Sequence, residues 1–333
     1  MTSFSTTCPA TAAIDAVAVA DSLGTPANQH PRPTKQSRSR SRACSSFQLT
    51  DERQLAYQEY GLANGRPVLY FHDIGSSRLE GSLFDEAAQS AGLRLIAIDR
   101  PGIGGSSFFS TSPRQFAEHA VALAASLGIE RFALLSLGGG GIYALTLSRY
   151  FPQHVQKHVS LGGVPGSAFN ETPASGYLAN CWNELTPVLF KMVVHVKHQF
   201  FPDAGPQDSL SRLEAHLCWQ DRKVLQKPAI RRLLKRDQLE ALRRGCHGVA
   251  QEVSVCYRKF DFKLHDVSVP TVVWQGEADQ LSRRSDCEYL AARMPDARLN
   301  LVSGAGHFFF LEKLGQVMNS FAVEDARVAR LAA

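Results

Sequence analysis

A run of four glycines follows a short apolar stretch near the middle of the chain, in the segment ALLSLGGGGIYAL (residues 133–145). An apolar strand that turns through glycines into a helix is the local structure that presents a catalytic nucleophile in the pattern G-x-S-x-G. No serine, cysteine or aspartate stands among the glycines at 138–141. The segment therefore predicts the turn and leaves open which group, if any, attacks a substrate.

Two titratable residues follow the last two apolar runs of the chain. Asp279 comes just after TVVWQG (271–276), and His307 comes just after RLNLV (298–302). A histidine that a carboxylate orients can act as a general base or acid. Each residue also has an ordinary interpretation, a turn or helix-capping aspartate and a structural histidine.

Short apolar runs of strand length alternate with helical segments along most of the chain. The predicted strands are PVLYF (67–71), LRLIAI (93–98), FALLS (132–136), VQKHVSL (155–161), TVVWQG and RLNLV. Such alternation is typical of a parallel sheet covered by helices on both faces. A predicted hairpin over 47–61 adds antiparallel strands at one edge. Because ligands bind beyond the carboxyl ends of such strands, we expect the loops that follow them to form the site.

Two stretches of the chain do not show this alternation, one before the first strand and one between VQKHVSL and TVVWQG. Residues 1–45 are rich in Ser, Thr, Ala and Pro, and we predict a disordered tail there. Residues 164–268 contain helical material and no clear strand run, so we predict a helical insertion that covers the strand ends, with the core at 46–163 and 269–333. Within the insertion, an apolar stripe of leucines at helical spacing is expected to pack inward while the charges face solvent. These leucines are Leu233, Leu234, Leu239 and Leu242.

Five segments resemble, in this order, motifs of the α/β-hydrolase fold family, in the branch that carries a helical cap. RPVLYFHDIGSSR resembles the family's oxyanion loop, and IAIDRPGIGGSS resembles its D-R-P-G-x-G-x-S loop. FALLSLGGGGIYAL resembles the nucleophile turn, while VWQGEADQL and SGAGHFFF resemble the loops that hold the acid and the histidine. The resemblance covers about residues 47–314. It implies an α/β fold: a mostly parallel α/β-hydrolase sheet with helices on both faces and a helical cap insertion.

The resemblance also implies a role for several residues. Asp279 falls at the position of the acid and His307 at that of the base. Gly138 falls at the nucleophile position. The backbone N–H groups of Ile74 and Gly139 fall where two donors would bind a substrate oxyanion. Since glycine cannot form an acyl-enzyme, the resemblance transfers an acid, a base and donors without an attacking atom.

Other positions depart from the family pattern. Asp73 follows His72 in the oxyanion loop, where the family has glycine. A carboxylate there would repel a developing negative charge and favour proton transfer, or it is a turn residue that points to solvent. Ser136 is either a displaced nucleophile or a strand residue packed beneath the turn. We expect a serine side chain at Gly138 to fit, because this turn ordinarily holds one.

Two functions follow from the resemblance. The first is a hydrolase that acts on a small, largely apolar carbonyl compound, an ester, lactone or thioester. In such an enzyme, the His307–Asp279 dyad activates a water molecule. Alternatively, the same dyad removes a proton from the substrate. The second is a non-catalytic ligand-binding protein that has kept the covered pocket. No organic or metal cofactor is implied, and the expected partner is a small molecule.

Composition argues against several other classes. The chain has 333 residues and a net charge of +5, part of which lies in the tail, so no nucleic-acid surface is indicated. The seven cysteines are dispersed and form no C-x-x-C pair, which predicts neither a disulfide framework nor a zinc site. No apolar run is long enough to span a bilayer, and no secretory signal is apparent. We therefore expect an intracellular, cytoplasmic protein.

Overall fold

The described residues form one eight-stranded sheet with the strand order β1-β2-β4-β3-β5-β6-β7-β8. The computed structural model describes residues 43–49, 52–164, 213–214, 217–256 and 259–322. β1 pairs antiparallel with β2, and β2 pairs antiparallel with β4, while every other neighbouring pair is parallel. The strands are β1 Ser45–Gln48, β2 Gln54–Gly61, β3 Arg66–Phe71, β4 Leu93–Ile98, β5 Phe132–Leu137, β6 Val155–Leu161, β7 Thr271–Gly276 and β8 Ala297–Val302.

The helices are numbered here along the described residues, and all of these except the last lie between parallel strands. They are α1 Asp85–Ser90, α2 Pro113–Ser126, α3 Gly140–Tyr150, α4 Trp219–Leu225, α5 Pro228–Ala241, α6 His247–Cys256, α7 Arg284–Arg293 and α8 Phe310–Asn319. The described part of the chain also contains 3-10 segments at Arg78–Phe84, Leu264–Asp266 and His307–Phe309. α2 begins with a capping box between Ser112 and Gln115 and with proline at its first turn, the signals that start a helix.

The core lies on both faces of the sheet because successive residues of the central strands point to opposite sides. On β5, Leu134 joins the apolar cluster on one face and Leu135 joins the cluster on the other. α2, α3 and α7 contribute to the first cluster, and α1 and α8 contribute to the second. The predicted fold, a mostly parallel sheet covered by helices on both faces, is confirmed.

Parts of the predicted organisation lie outside the described residues. Of the predicted tail 1–45, residues 1–42 lie outside them, and Ser45 already belongs to β1. Of the predicted insertion 164–268, the described part contains α4, α5 and α6 and no strand. Within the part of the chain that is described, no helix has the length and apolar composition that crossing a membrane requires.

Candidate active site

The residues singled out in the sequence follow the carboxyl ends of four parallel strands. Asp73 lies two residues after β3, and Gly138 follows β5 directly. Asp279 follows β7, and His307 follows β8. Since these strands run in one direction, the four loops emerge at the same end of the sheet, where a parallel α/β fold binds its ligands.

The glycine run turns the chain from β5 into α3. Gly138 has φ +47°, in the left-handed region that glycine adopts without steric penalty. Its N–H donates to the Leu161 carbonyl at 2.9 Å, and its carbonyl accepts from the Gly141 N–H at 3.0 Å. A Cβ on Gly140 would overlap backbone oxygens of Phe71 and His72. The turn therefore keeps its shape with no side chain at its tip.

The Asp73 carboxylate occupies the place predicted for a substrate oxyanion. Its Oδ1 accepts hydrogen bonds from the Ile74 N–H at 2.7 Å and the Gly139 N–H at 2.8 Å. These are the two donors that were expected to bind substrate, and in the structure they bind the protein's own carboxylate. Asp73 therefore does not merely point to solvent, although its side chain remains 28% exposed.

The same carboxylate fills the space that a side chain at Gly138 would need. A Cβ built on Gly138 would overlap Oδ1 of Asp73 and would lie 2.7 Å from its Cγ and 3.0 Å from its Oδ2. A serine at this position would therefore not fit unless the Asp73 carboxylate moved. The reason is local: the Asp73 carboxylate reaches across from the neighbouring loop into that space.

His307 and Asp279 lie within hydrogen-bond distance of each other. Nδ1 of His307 is 2.9 Å from Oδ2 of Asp279, and the two side chains are 4% and 0% exposed. The other carboxylate oxygen of Asp279 accepts from the N–H groups of Leu281 at 2.8 Å and Ser282 at 3.0 Å. This fixed carboxylate orients the imidazole ring, so that Nε2 of His307 faces Oδ2 of Asp73 at 3.8 Å.

His307 is flanked by two carboxylates in a buried place. Burial alone would lower the pKa of His307, but the hydrogen bond and charge of Asp279, with the charges of Asp73 and Asp221, raise it to about 9. The hydrogen bond and charge of His307 in turn lower the pKa of Asp279 against the opposing effect of burial. At neutral pH the imidazole is therefore cationic and lies between two anions.

A comparison with family models matches residues 66–314 to the alpha/beta hydrolase fold. The chain belongs to the α/β-hydrolase fold family. A curated relative, a 2-hydroxy-6-oxononadienedioate/2-hydroxy-6-oxononatrienedioate hydrolase from a Pseudomonas species, is 32% identical over 116 residues. That match covers 33% of this chain and 41% of the relative, so the chain spans less than half of the curated protein it matches.

Solved structures similar to this α/β-hydrolase cover most of its length. A hydrolase from Pseudomonas aeruginosa superposes with TM-score 0.65 at 20% identity, covering 84% of this chain and 97% of the other. A thermophilic esterase from Thermogutta terrifontis gives TM-score 0.63 at 20% identity, with 84% and 96% covered. An enol-lactonase from Burkholderia xenovorans gives TM-score 0.59 at 14% identity, with 81% and 95% covered. Because these sequence identities are 20% or lower, the structural similarity establishes the fold alone.

Two carboxylates from the helices between β6 and β7 hold the loop of this α/β-hydrolase that carries Asp73. Glu252 on α6 accepts from the Gly75 N–H at 2.9 Å. Asp237 on α5 accepts from the Ser77 N–H at 3.0 Å and from the Ser77 hydroxyl at 2.6 Å. We call Asp237 and Glu252 the clamp carboxylates. Both are buried, and neither was recognised from the sequence.

The apolar stripe predicted on α5 is wrong at two of its four positions. Leu239 and Leu242 are 50% and 45% exposed, whereas Leu234, Asp237 and Ala241 are buried. The buried face of the helix thus includes a carboxylate that binds the Asp73 loop. A periodicity of apolar residues could not reveal this, since the deciding contact is polar.

A third buried carboxyl, Glu80, lies behind the Asp73 loop. Its Oε2 accepts from the Asp73 N–H at 2.9 Å and from the Tyr70 hydroxyl at 2.5 Å. The Ser76 hydroxyl lies 2.8 Å from Oε1 of Glu80 and also contacts Oδ2 of Asp237. One hydroxyl proton cannot serve two carboxylates, and burial raises the pKa of both carboxyls. One of the two therefore retains a proton that completes the network.

His72 does not contact His307 or Asp279. It contacts Arg100 behind the Asp73 loop. It is fully buried, and Arg100 donates to its carbonyl at 2.7 Å and to the Asp73 carbonyl at 3.0 Å. Nδ1 of His72 lies 2.9 Å from Nη2 of Arg100. Burial and the Arg100 charge hold the pKa of His72 well below its ordinary value. The Arg100 guanidinium in turn pairs with Glu252 at 2.6 Å, so this cluster connects the backbone of the Asp73 loop to α6.

The His307 loop has its own carboxylate, which the sequence did not reveal. Asp221 on α4 is 1% exposed and accepts from the N–H groups of His307 at 2.8 Å and Phe308 at 2.9 Å. A Cβ on Gly306 would overlap this carboxylate, so a glycine is needed where the loop approaches α4. Asp221 thus fixes the backbone of His307, and Asp279 fixes its ring.

The structure does not bring Ser136 to these groups. Ser136 is fully buried in β5, and its hydroxyl lies 2.8 Å from Nε2 of His158 on β6. Burial lowers the pKa of His158 to about 3, so this histidine is neutral. Among the described residues, no cluster of His, Cys, Asp and Glu is arranged to hold a metal ion.

Proposed function

We propose that this protein is an enzyme that acts on a small, largely apolar carbonyl or ester-type compound through the His307–Asp279 dyad. The observation that carries the proposal is the buried imidazole, which Asp279 orients at 2.9 Å and whose Nε2 faces the carboxylate of Asp73 at the carboxyl end of the sheet. A histidine that a carboxylate orients through one ring nitrogen, while the other nitrogen is directed at a polar group of the site, is suited to general acid–base catalysis. The names of the hydrolase, esterase and lactonase relatives agree with this class.

The chemistry differs from serine acyl transfer. Gly138 offers no atom that could form an acyl-enzyme. The two N–H donors of Ile74 and Gly139 hold Asp73, so a substrate carbonyl oxygen could use them only after that carboxylate had moved. Asp73 therefore takes part in the reaction, and His307 in its cationic form supplies a proton to it or to the substrate. We also propose that α4, α5 and α6 belong to a cap over residues 46–163 and 269–333.

The test is a panel of short-chain p-nitrophenyl esters, thioesters and lactones, assayed with the wild-type protein and two variants. His307→Gln removes the titrating ring, and we expect turnover to fall by about 10²–10⁴-fold. His265→Gln changes an exposed histidine of the Leu264–Asp266 segment and should leave turnover unchanged. Equal turnover in all three proteins would remove His307 from the mechanism.

A second candidate function is ligand binding without turnover. It is favoured by the two N–H donors that are already occupied by Asp73 and by the absence of a side chain at Gly138. If it is correct, panel compounds raise the thermal unfolding midpoint of the wild-type protein while none is converted. Conversion of a panel compound that His307→Gln abolishes would exclude it.

A further inference from the structure

We propose that Asp73 is the attacking group of this site, and that it opens a small, apolar epoxide by forming an ester with one of the ring carbons. The inference uses the same His307–Asp279 dyad as the proposed function. It adds a nucleophile and a further substrate class. Asp73 lies in the loop after β3. The turn after β5, which normally presents the nucleophile, has Gly138 at its tip.

The position of the Asp73 carboxylate carries the first step. It fills the space that a side chain on Gly138 would occupy, as the overlap with a Cβ built there shows. Its Oδ1 is held by two backbone donors, while Oδ2 faces His307 and the side chain is 28% exposed. One oxygen is therefore fixed, and the other is presented beside the histidine.

The two hydrogen bonds to Oδ1 are placed to assist hydrolysis of an Asp73 ester. Attack of water at Cγ places negative charge on Oδ1, which already lies 2.7 Å and 2.8 Å from the Ile74 and Gly139 nitrogens. Donors at this distance from the oxygen that becomes charged are the requirement for stabilising such an intermediate.

The reaction balances with water as the co-reactant. Oδ2 of Asp73 attacks a ring carbon, the carbon–oxygen bond of the epoxide breaks, and the released oxygen takes the Nε2 proton of His307. Neutral His307 then removes a proton from water, and the hydroxide adds to Cγ of Asp73. Collapse of this intermediate breaks the bond between Cγ and the former Oδ2, which leaves as the second hydroxyl of a diol with a proton from His307. The new carboxyl group returns its proton to His307.

The charge on His307 selects the substrate class. Within the described part of the chain, His307 is the cation that faces Oδ2 of Asp73, and its pKa of about 9 keeps it protonated at neutral pH. An epoxide oxygen needs a proton as the ring opens, whereas a halide leaving group needs none. A histidine that starts as an acid and becomes the base for the second step suits an oxygen leaving group.

The experiment follows the oxygen of water into the protein. Enzyme in excess over styrene oxide is allowed a single turnover in heavy-oxygen water. The masses of the diol and of the peptides from a digest of the protein are then measured by mass spectrometry. We expect an unlabelled diol and one heavy oxygen in the peptide that contains Asp73, while the peptide with Asp279 stays unlabelled. A labelled diol with unlabelled Asp73, or a folded protein that does not convert styrene oxide, overturns the inference.

Asp73→Asn gives an independent measurement. The amide oxygen can still accept from the Ile74 and Gly139 N–H groups, so the variant should fold, while its nucleophilic oxygen is lost. We expect no detectable conversion of styrene oxide, with wild-type conversion in Asp261→Asn, a change at an exposed aspartate. Ester turnover through His307 with an unlabelled Asp73 overturns this inference and leaves the proposed function intact. A labelled Asp73 without ester turnover supports this inference and removes the proposed function.

Discussion

The overlap between Asp73 and a side chain at position 138 makes a quantitative prediction about Gly138→Ser. The new Cβ would lie 2.7 Å from Cγ of Asp73, closer than side-chain carbons approach other atoms, so the carboxylate must turn away. It then loses two hydrogen bonds to a charged acceptor, which contribute about 1.5–3 kcal/mol each. The left-handed backbone of residue 138 adds about 1–2 kcal/mol for a residue other than glycine. Because the displaced carboxylate reaches solvent, we expect the lower end of the sum, about 4 kcal/mol of destabilisation.

The double variant Gly138→Ser with Asp73→Gly removes the carboxylate that overlaps the new side chain. Without the carboxylate, a serine hydroxyl can reach His307, and the Ile74 and Gly139 N–H groups are free for a substrate oxyanion. The loss of the Asp73 hydrogen bonds is then counted in both single variants but occurs once in the double variant. We expect the double variant to be more stable than the sum of the single changes by about 3 kcal/mol, the lower end of the value for the two hydrogen bonds.

Two assays check this prediction across wild type, both single variants and the double variant. Urea unfolding gives the four free energies, and p-nitrophenyl acetate hydrolysis with fluorophosphonate labelling reports a working serine. We expect fluorophosphonate to label residue 138, and to abolish ester hydrolysis, in the double variant alone, with buried Ser136 unlabelled in all four proteins. A Gly138→Ser protein that is as stable as wild type, or that is labelled as fast as the double variant, would refute the steric argument.

Three further outcomes follow from the site. The pKa of His307, about 9 in the folded chain and ordinarily about 6.5, predicts stabilisation of about 3 kcal/mol that is complete below pH 6.5 and lost as the pH rises to 9. Urea unfolding from pH 6 to 9.5 should show this decline in wild type but not in His307→Gln. Ser136→Ala leaves the buried Nε2 of His158 unpaired and should cost about 1–3 kcal/mol in urea unfolding without changing turnover; a fall in turnover would restore Ser136 as a candidate nucleophile. Asp221→Ala removes the acceptor of two N–H groups in the His307 loop, so both the unfolding midpoint and kcat should fall. An unchanged kcat would show that His307 needs no backbone support.

The sheet could be predicted from the sequence because its strands are short apolar runs of the right length. β4, β6 and β7 have the bounds predicted for them. The approach of His307 to Asp279 could be anticipated for a related reason. Loops that follow neighbouring parallel strands emerge at one end of the sheet, so order along the chain brings the two side chains together.

The contacts of Asp73 could not be predicted in the same way. Its carboxylate binds a backbone N–H that lies 66 positions later, and no local pattern records a distance of 2.8 Å. Asp237 was hidden for a different reason. It lies on a helix with many charges, where a solvent-facing position is the ordinary expectation, and its burial depends on partners at Ser76 and Ser77.

The clamp carboxylates also restrict how this protein could be rebuilt by recombination. Asp237 and Glu252 contact the Asp73 loop across 160 and 177 positions of sequence. A graft of the segment between β6 and β7 from another family member would therefore also replace the two carboxylates that hold the Asp73 loop. Unless the donor segment supplied carboxylates at both points, the N–H groups of Gly75 and Ser77 would lose their acceptors. Helices α5 and α6 and the placement of the Asp73 carboxylate would therefore have to be exchanged as one unit.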